Sequence, residues 1–154
     1  MKPDQARQLL DQALAELLLA RRHLDYSFQQ VAGLPDELKG ATPGQLESAE
    51  AFSSRFARTV DLLVNKVLRS LDRMELRPEG TLLDVVNRAE KRRFVARAVE
   101  LREMKDVRNI IAHDYAGAKT AEILAYCREQ KPVLDAICDR VAAHARILLS
   151  SHDG

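Results

Sequence analysis

The chain has 154 residues, 46% of them hydrophobic and 31% charged, and a formal net charge of +1. That composition supports one buried core in a single domain over residues 1–154 and excludes a fibrous or disordered chain. It also excludes a protein that holds nucleic acid by bulk charge, so any such contact has to be local.

Apolar residues recur at helical spacing along the whole chain, with no credible strand pattern and no internal repeat. A first helix is predicted from Asp4 to about Val31, with the acid at its start and Gly33-Leu34-Pro35 as its stop. Its leucines are interleaved with Asp11, Gln12 and Glu16, which rules out a signal-peptide core. No apolar run approaches the roughly 20 residues that span a bilayer, so the protein is read as cytoplasmic with no membrane partner. Residues 33–44 carry Gly33, Pro35, Gly40, Pro43 and Gly44 and are predicted to be a long surface loop.

A second helix follows from about Gln45 to Met74, with Phe52, Phe56, Val60, Leu63, Val64, Val67, Leu68 and Leu71 in a wide stripe. So broad an arc fits either the centre of a bundle or a helix shared between the core and a subunit interface. After Arg77-Pro78-Glu79-Gly80, a short helix is predicted from Thr81 to about Arg92, with Thr81 as N-cap and Asp84 completing a capping box. A fourth helix covers about Phe94 to His113, and a fifth runs from Thr120 to about Ser151. The fold class is all-α, an up-and-down bundle of about five helices with a long loop between the first two.

Cys127 and Cys138 lie 11 residues apart on one helical face. At 1.5 Å per residue their backbones are about 16 Å apart, too far for a disulfide, and they read as buried, reduced thiols. His23 sits in an Arg-rich patch of the first helix, His144 follows the apolar face of the last, and His152 is in the tail; none has metal spacing. There is no Gly-rich phosphate loop, zinc motif or nucleophile elbow, so neither a metal nor a cofactor is expected.

The densest chemistry is Arg108-Asn109-Ile110-Ile111-Ala112-His113-Asp114-Tyr115, where a fixed cation, an amide, an imidazole and a phenol occupy about two helical turns. At 100° per residue, Met104, Val107 and Ile111 face the core, while Arg102, Asp106, Asn109 and His113 gather on the other side. Arg108 lies about 140° around the axis from His113. The two converge only if the long arginine reaches across, if the helix tightens near Ala112, or if a second subunit contributes. Gly117 follows closely as the expected helix stop, which leaves His113 and Tyr115 where the backbone departs the helix.

The run RNIIAHDY resembles the signature of HEPN-domain proteins, most closely the HepT branch of two-gene toxin and antitoxin systems. The layout of two long helices, a short one, the motif near a helix end and a last long helix also resembles the HEPN fold. The resemblance implies a homodimer and a metal-independent endoribonuclease acting on RNA, with transfer RNA among the candidate substrates. It assigns Arg108 and His113 to the ribonuclease pair and Asn109 to the supporting polar residue. It further implies a partner antitoxin of the minimal nucleotidyltransferase (MNT) type that transfers AMP onto Tyr115. The acids of this chain form no paired constellation of their own, so the transferase is a separate protein.

Residue chemistry agrees with those roles. A neutral imidazole at His113 can take the proton of a 2′-hydroxyl, Arg108 offers a planar fork to phosphate oxygens, and Asn109 can hold an orientation by hydrogen bonds. Without the resemblance, Arg108 reads as a surface cation, His113 as a helix-end residue favoured by the dipole, and Tyr115 as a packing residue with a wet hydroxyl. Arg88, Lys91, Arg92, Arg93, Arg97, Arg102 and Lys105 precede the motif, interrupted by Glu90, Glu100, Glu103 and Asp106. They fit either an ion-paired solvated face or a track for an RNA backbone. A non-catalytic HEPN subunit, serving as a substrate-binding or scaffold component of a nucleotidyltransferase, is the alternative from a different class.

Overall fold

The computed structural model describes residues 2–151, so His152 lies outside the described residues. Five helices account for nearly all of that span, and no strand occurs among the described residues. Helix α1 covers Pro3–Val31. Helix α2 is α-helical over Pro43–Asp61, passes through a π-helical stretch at Leu62–Leu68, and continues as an α-helix over Arg69–Met74. Helices α3, α4 and α5 cover Leu82–Lys91, Ala98–His113 and Thr120–Ser151.

Long-range polar contacts fix the directions. Arg7 reaches the Leu149 carbonyl and Arg21 reaches Asp135 and Asp139, so α1 and α5 run antiparallel. Arg55 of α2 donates to the Ser27 hydroxyl and the His23 carbonyl of α1, again antiparallel. Helix α2 is the bundle centre: all eight residues of its apolar stripe are at most 1% exposed within one chain. The broad arc is therefore filled by α1, α4 and α5, which all pack on it.

The predicted capping box is present, and the structure adds a second. Thr81 Oγ1 accepts from Asp84 N–H at 3.3 Å while the Asp84 carboxylate accepts from Thr81 N–H at 2.9 Å, as the sequence suggests. The Thr81 N–H and hydroxyl, both donating to the ionised side chain, hold the Asp84 carboxyl below its usual range. At α2 the same device uses Thr42 and Gln45, which starts the helix at Pro43, two residues before the predicted boundary.

Two expectations need correction. The fourth helix begins at Ala98, not Phe94. Arg93 takes a positive φ of 63°, Phe94 and Val95 turn inward as buried anchors, and Arg140 donates to the Phe94 carbonyl at 3.0 Å. The Glu90 carboxylate then accepts from Ala98 N–H, so a side chain of α3 satisfies an amide at the start of α4. The loop after α1 also lies less freely on the surface than its Gly/Pro content suggests. Leu34 and Leu38 are buried, and Arg128 of α5 binds the Ala32 and Leu34 carbonyls and Asp36.

Cys127 and Cys138 are free and buried. Burial pushes both thiols up to about 12, although a hydrogen bond with Ser53 opposes the shift at Cys127. They are uncharged at neutral pH and act as small core residues. His144 hydrogen-bonds Glu75 at 2.9 Å and stands edge-on to Phe94, a packing role. No helix of the described residues is long and apolar enough to cross a membrane.

Candidate functional site

Helix α4 carries its apolar residues inward at Leu101, Met104 and Val107, which are buried, with Ile111 half-buried one turn further on. This sets the rotation of the helix and hence the direction of every motif side chain. Asn109 points outward, where its Nδ2 donates to Asp106 Oδ1 at 3.3 Å. Arg108 leans the other way, toward α2, and its guanidinium pairs with Asp61. Lys105, one turn earlier, binds the other oxygen of the same carboxylate.

Asp61 was not among the residues singled out from the sequence, yet it organises this region. It is the sole acid between Glu50 and Asp72 in a helix dominated by apolar residues. A lone carboxylate at a largely covered position needs cationic partners, and that is the sequence signal that points to it. Its side chain is 14% exposed, against 70% for Arg108, so the pair joins a nearly buried anion to a cation that still meets water. Two cations share the single carboxylate, leaving a net positive charge at the spot. Asp61 also ends the α-helical part of α2, immediately before the π-helical stretch.

Beside this ion pair, α2 and α4 leave a groove of about 340 Å³ lined by Ser54, Ala57, Arg58, Asp61, Arg108, Ile111 and Ala112. A second cavity of about 230 Å³ adjoins it and shares Ser54 and Ile111. Its remaining walls include Glu50, Asp114 and Thr120.

His113 is the last residue of α4, and the chain leaves the helix at Asp114. The Asp114 carboxylate accepts from Lys119 N–H at 3.0 and 3.2 Å, and Gly117 takes a φ of +67°, so the connection to α5 is a closed turn. Gly117 thus shapes this turn after the helix has ended. The His113 and Tyr115 rings stand edge to face, with centroids 6.3 Å apart and planes at 83°, and Tyr115 is 90% exposed.

The structure therefore brings His113 together with Tyr115, and Arg108 together with Asp61. No hydrogen bond or ion pair joins Arg108 to His113 among the described residues. Of the routes to convergence, the arginine's reach is directed at α2, and the helix stays α-helical through His113. The basic series before the motif is largely ion-paired: Arg88 and Arg92 bind Asp72, Arg97 binds Glu100, and Lys105 binds Asp61. No three His, Cys, Asp or Glu side chains among the described residues converge in a way that would hold a metal ion.

A family model described as ribonuclease HepT-like matches residues 36–141. The chain belongs to this family. The match starts in the loop after α1, ends within α5, and contains the whole RNIIAHDY segment, as well as Asp61 and both cavities. Comparison with curated proteins and with solved structures gives no match. Membership in the HepT-like family, together with the all-helical bundle, agrees with RNA binding and ribonuclease-type chemistry at the class level.

Proposed function

We propose that the protein is a metal-independent endoribonuclease toxin, active as a homodimer and silenced by AMP transfer onto Tyr115. The observation that carries this reading is the placement of the family's motif residues. Arg108 borders a positively charged groove, while His113 and Tyr115 stand exposed at the end of the same helix. In this mechanism neutral His113 removes the proton of a 2′-hydroxyl, and that oxygen bonds to the adjacent phosphorus. The bond from phosphorus to the 5′-oxygen breaks, giving a 2′,3′-cyclic phosphate. His113 of the partner subunit protonates the departing 5′-oxygen. Arg108 stabilises the charged phosphoryl oxygens, with Asn109 orienting the substrate. Pairing two copies answers the angular separation of Arg108 and His113, because one subunit's arginine then serves beside the other's histidine.

The regulatory step uses the exposed phenol. Tyr115 Oη bonds to the α-phosphorus of ATP, the α–β phosphoanhydride bond breaks, pyrophosphate leaves, and the phenolic proton passes to a base of the partner MNT-type nucleotidyltransferase. The attached AMP sets bulk and negative charge where an RNA phosphate must approach. Incubation with the transferase, ATP and Mg²⁺ is expected to add the mass of AMP at Tyr115, mapped by peptide mass spectrometry. An unmodified chain, or an adduct on another residue, removes this half of the proposal.

The second reading, a non-catalytic substrate-binding or scaffold subunit of a nucleotidyltransferase, draws on the separation of Arg108 and His113 within one chain and on the engagement of Arg108 by Asp61. The deciding experiment treats total cellular RNA and purified tRNA with unmodified protein in EDTA. Discrete products support the ribonuclease; intact RNA from protein shown to lack AMP supports the binding subunit.

A further inference from the structure

We propose that the groove between α2 and α4, together with its adjoining cavity, is a subsite for one nucleotide of the RNA. Arg58 and Arg108 hold its phosphate, and the cavity beyond Ser54 and Ile111 receives its nucleoside. The assignment rests on the ribonuclease reading for its substrate class, but its evidence is the distribution of charge and apolar surface along one continuous depression.

At the first end, Arg58 and Arg108 project from opposite helices. Arg58 is exposed, and its guanidinium has neither a hydrogen bond nor an ion pair among the described residues, although it lies one turn from Asp61. Arg58 and Arg108, with Lys105 behind them, stand against the single Asp61 carboxylate, so this end carries excess positive charge. Guanidinium groups on two sides suit a phosphodiester, which offers oxygens in more than one direction.

The other end has different chemistry. Ile111 and Ile123 supply apolar surface, Ser54 and Thr120 supply hydroxyls, and Glu50 supplies an exposed carboxylate without an ion pair among the described residues. The N-terminus of α5 would be a competing anion seat, but the Asp114 carboxylate already accepts from the Lys119 amide there. With that seat filled and Glu50 adding negative charge, a phosphate is repelled from this end. A nucleoside is not: its base can lie against the isoleucines, and an exocyclic amino group can donate to Glu50. The groove and the cavity meet at Ser54 and Ile111, so both parts of one nucleotide fit without a break.

The test titrates the full-length protein with each of the four 3′-mononucleotides and with inorganic phosphate, read by NMR chemical-shift changes. Nucleotides are expected to bind more tightly than phosphate. Arg58→Gln is expected to weaken both about tenfold, as one charge-assisted hydrogen bond is lost. Ser54→Leu, an exposed helical substitution that fills the junction, weakens nucleotides and leaves phosphate unchanged. Glu50→Gln alters the ranking among the four bases. Equal binding of phosphate and nucleotides by the wild type, or undiminished nucleotide binding by either Arg58→Gln or Ser54→Leu, overturns the subsite. Mononucleotide binding in the expected pattern by a protein that leaves RNA intact overturns the ribonuclease reading alone.

Discussion

His113→Ala is expected to lower RNA cleavage by roughly 10²–10⁴-fold, the usual contribution of a positioned general acid or base. If each active site uses one histidine as base and another as acid, the substitution removes both in a homodimer, and the loss falls at the upper end of that range. The side chain is exposed at the end of α4 and its described contact is the edge-to-face pairing with Tyr115, so helix content and unfolding midpoint should stay near wild type. The assay is RNA cleavage in EDTA with both proteins shown by mass spectrometry to carry no AMP. A His113→Ala protein that cuts at the wild-type rate takes His113 out of the mechanism.

Asp72→Ala should be the costliest of the polar substitutions for stability. Asp72 is 5% exposed and accepts from Arg88 at 3.0 Å and from Arg92 at 2.7 Å, tying the end of α2 to α3. Removing the anion leaves two guanidinium groups facing a site from which water is largely excluded; loss of one partner of a buried pair typically costs 3–5 kcal/mol. Arg92 retains Glu75 at 3.5 Å and Arg88 retains the Pro78 carbonyl, which places the expected loss near the lower figure, about 3 kcal/mol. For a chain of this size that corresponds to a fall in Tm of roughly 6–12 °C. Urea unfolding showing a change below about 1 kcal/mol would mean that the arginines find water or other partners easily.

The helices were legible because their apolar residues keep a helical period over long stretches, and because Thr81 with Asp84 spells a local start signal. Thr120–Ser151 agrees with its predicted limits even though Pro132 lies inside it. The start of α4 was misread because the apolar character of Phe94 and Val95 is the same whether they belong to a helix or anchor a turn; the deciding contacts come from Glu90 and Arg140. The motif gave the directions of Asn109 and Ile111 correctly, since those follow from rotation about one axis. It could not give the partner of Arg108, because the pairing of α2 with α4 joins residues 47 positions apart. The π-helical stretch is equally hidden, since Leu62–Leu68 is composed of residues that an α-helix accepts just as well.

That stretch has a consequence for how the molecule can vary. A π-helical segment accommodates more chain per turn than an α-helix, so it takes up one extra residue between the parts of α2 on either side. Deleting one residue from it would allow an unbroken α-helix and leave the Pro43–Asp61 part in nearly its present rotation relative to Arg69–Met74, because six α-helical residues turn about as far as seven π-helical ones. Arg58 and Asp61 would still face α4, and Asp72 would keep its grip on α3. The wide turn is a register absorber, through which loss of a single residue can be taken up in the middle of α2 while both ends keep their packing.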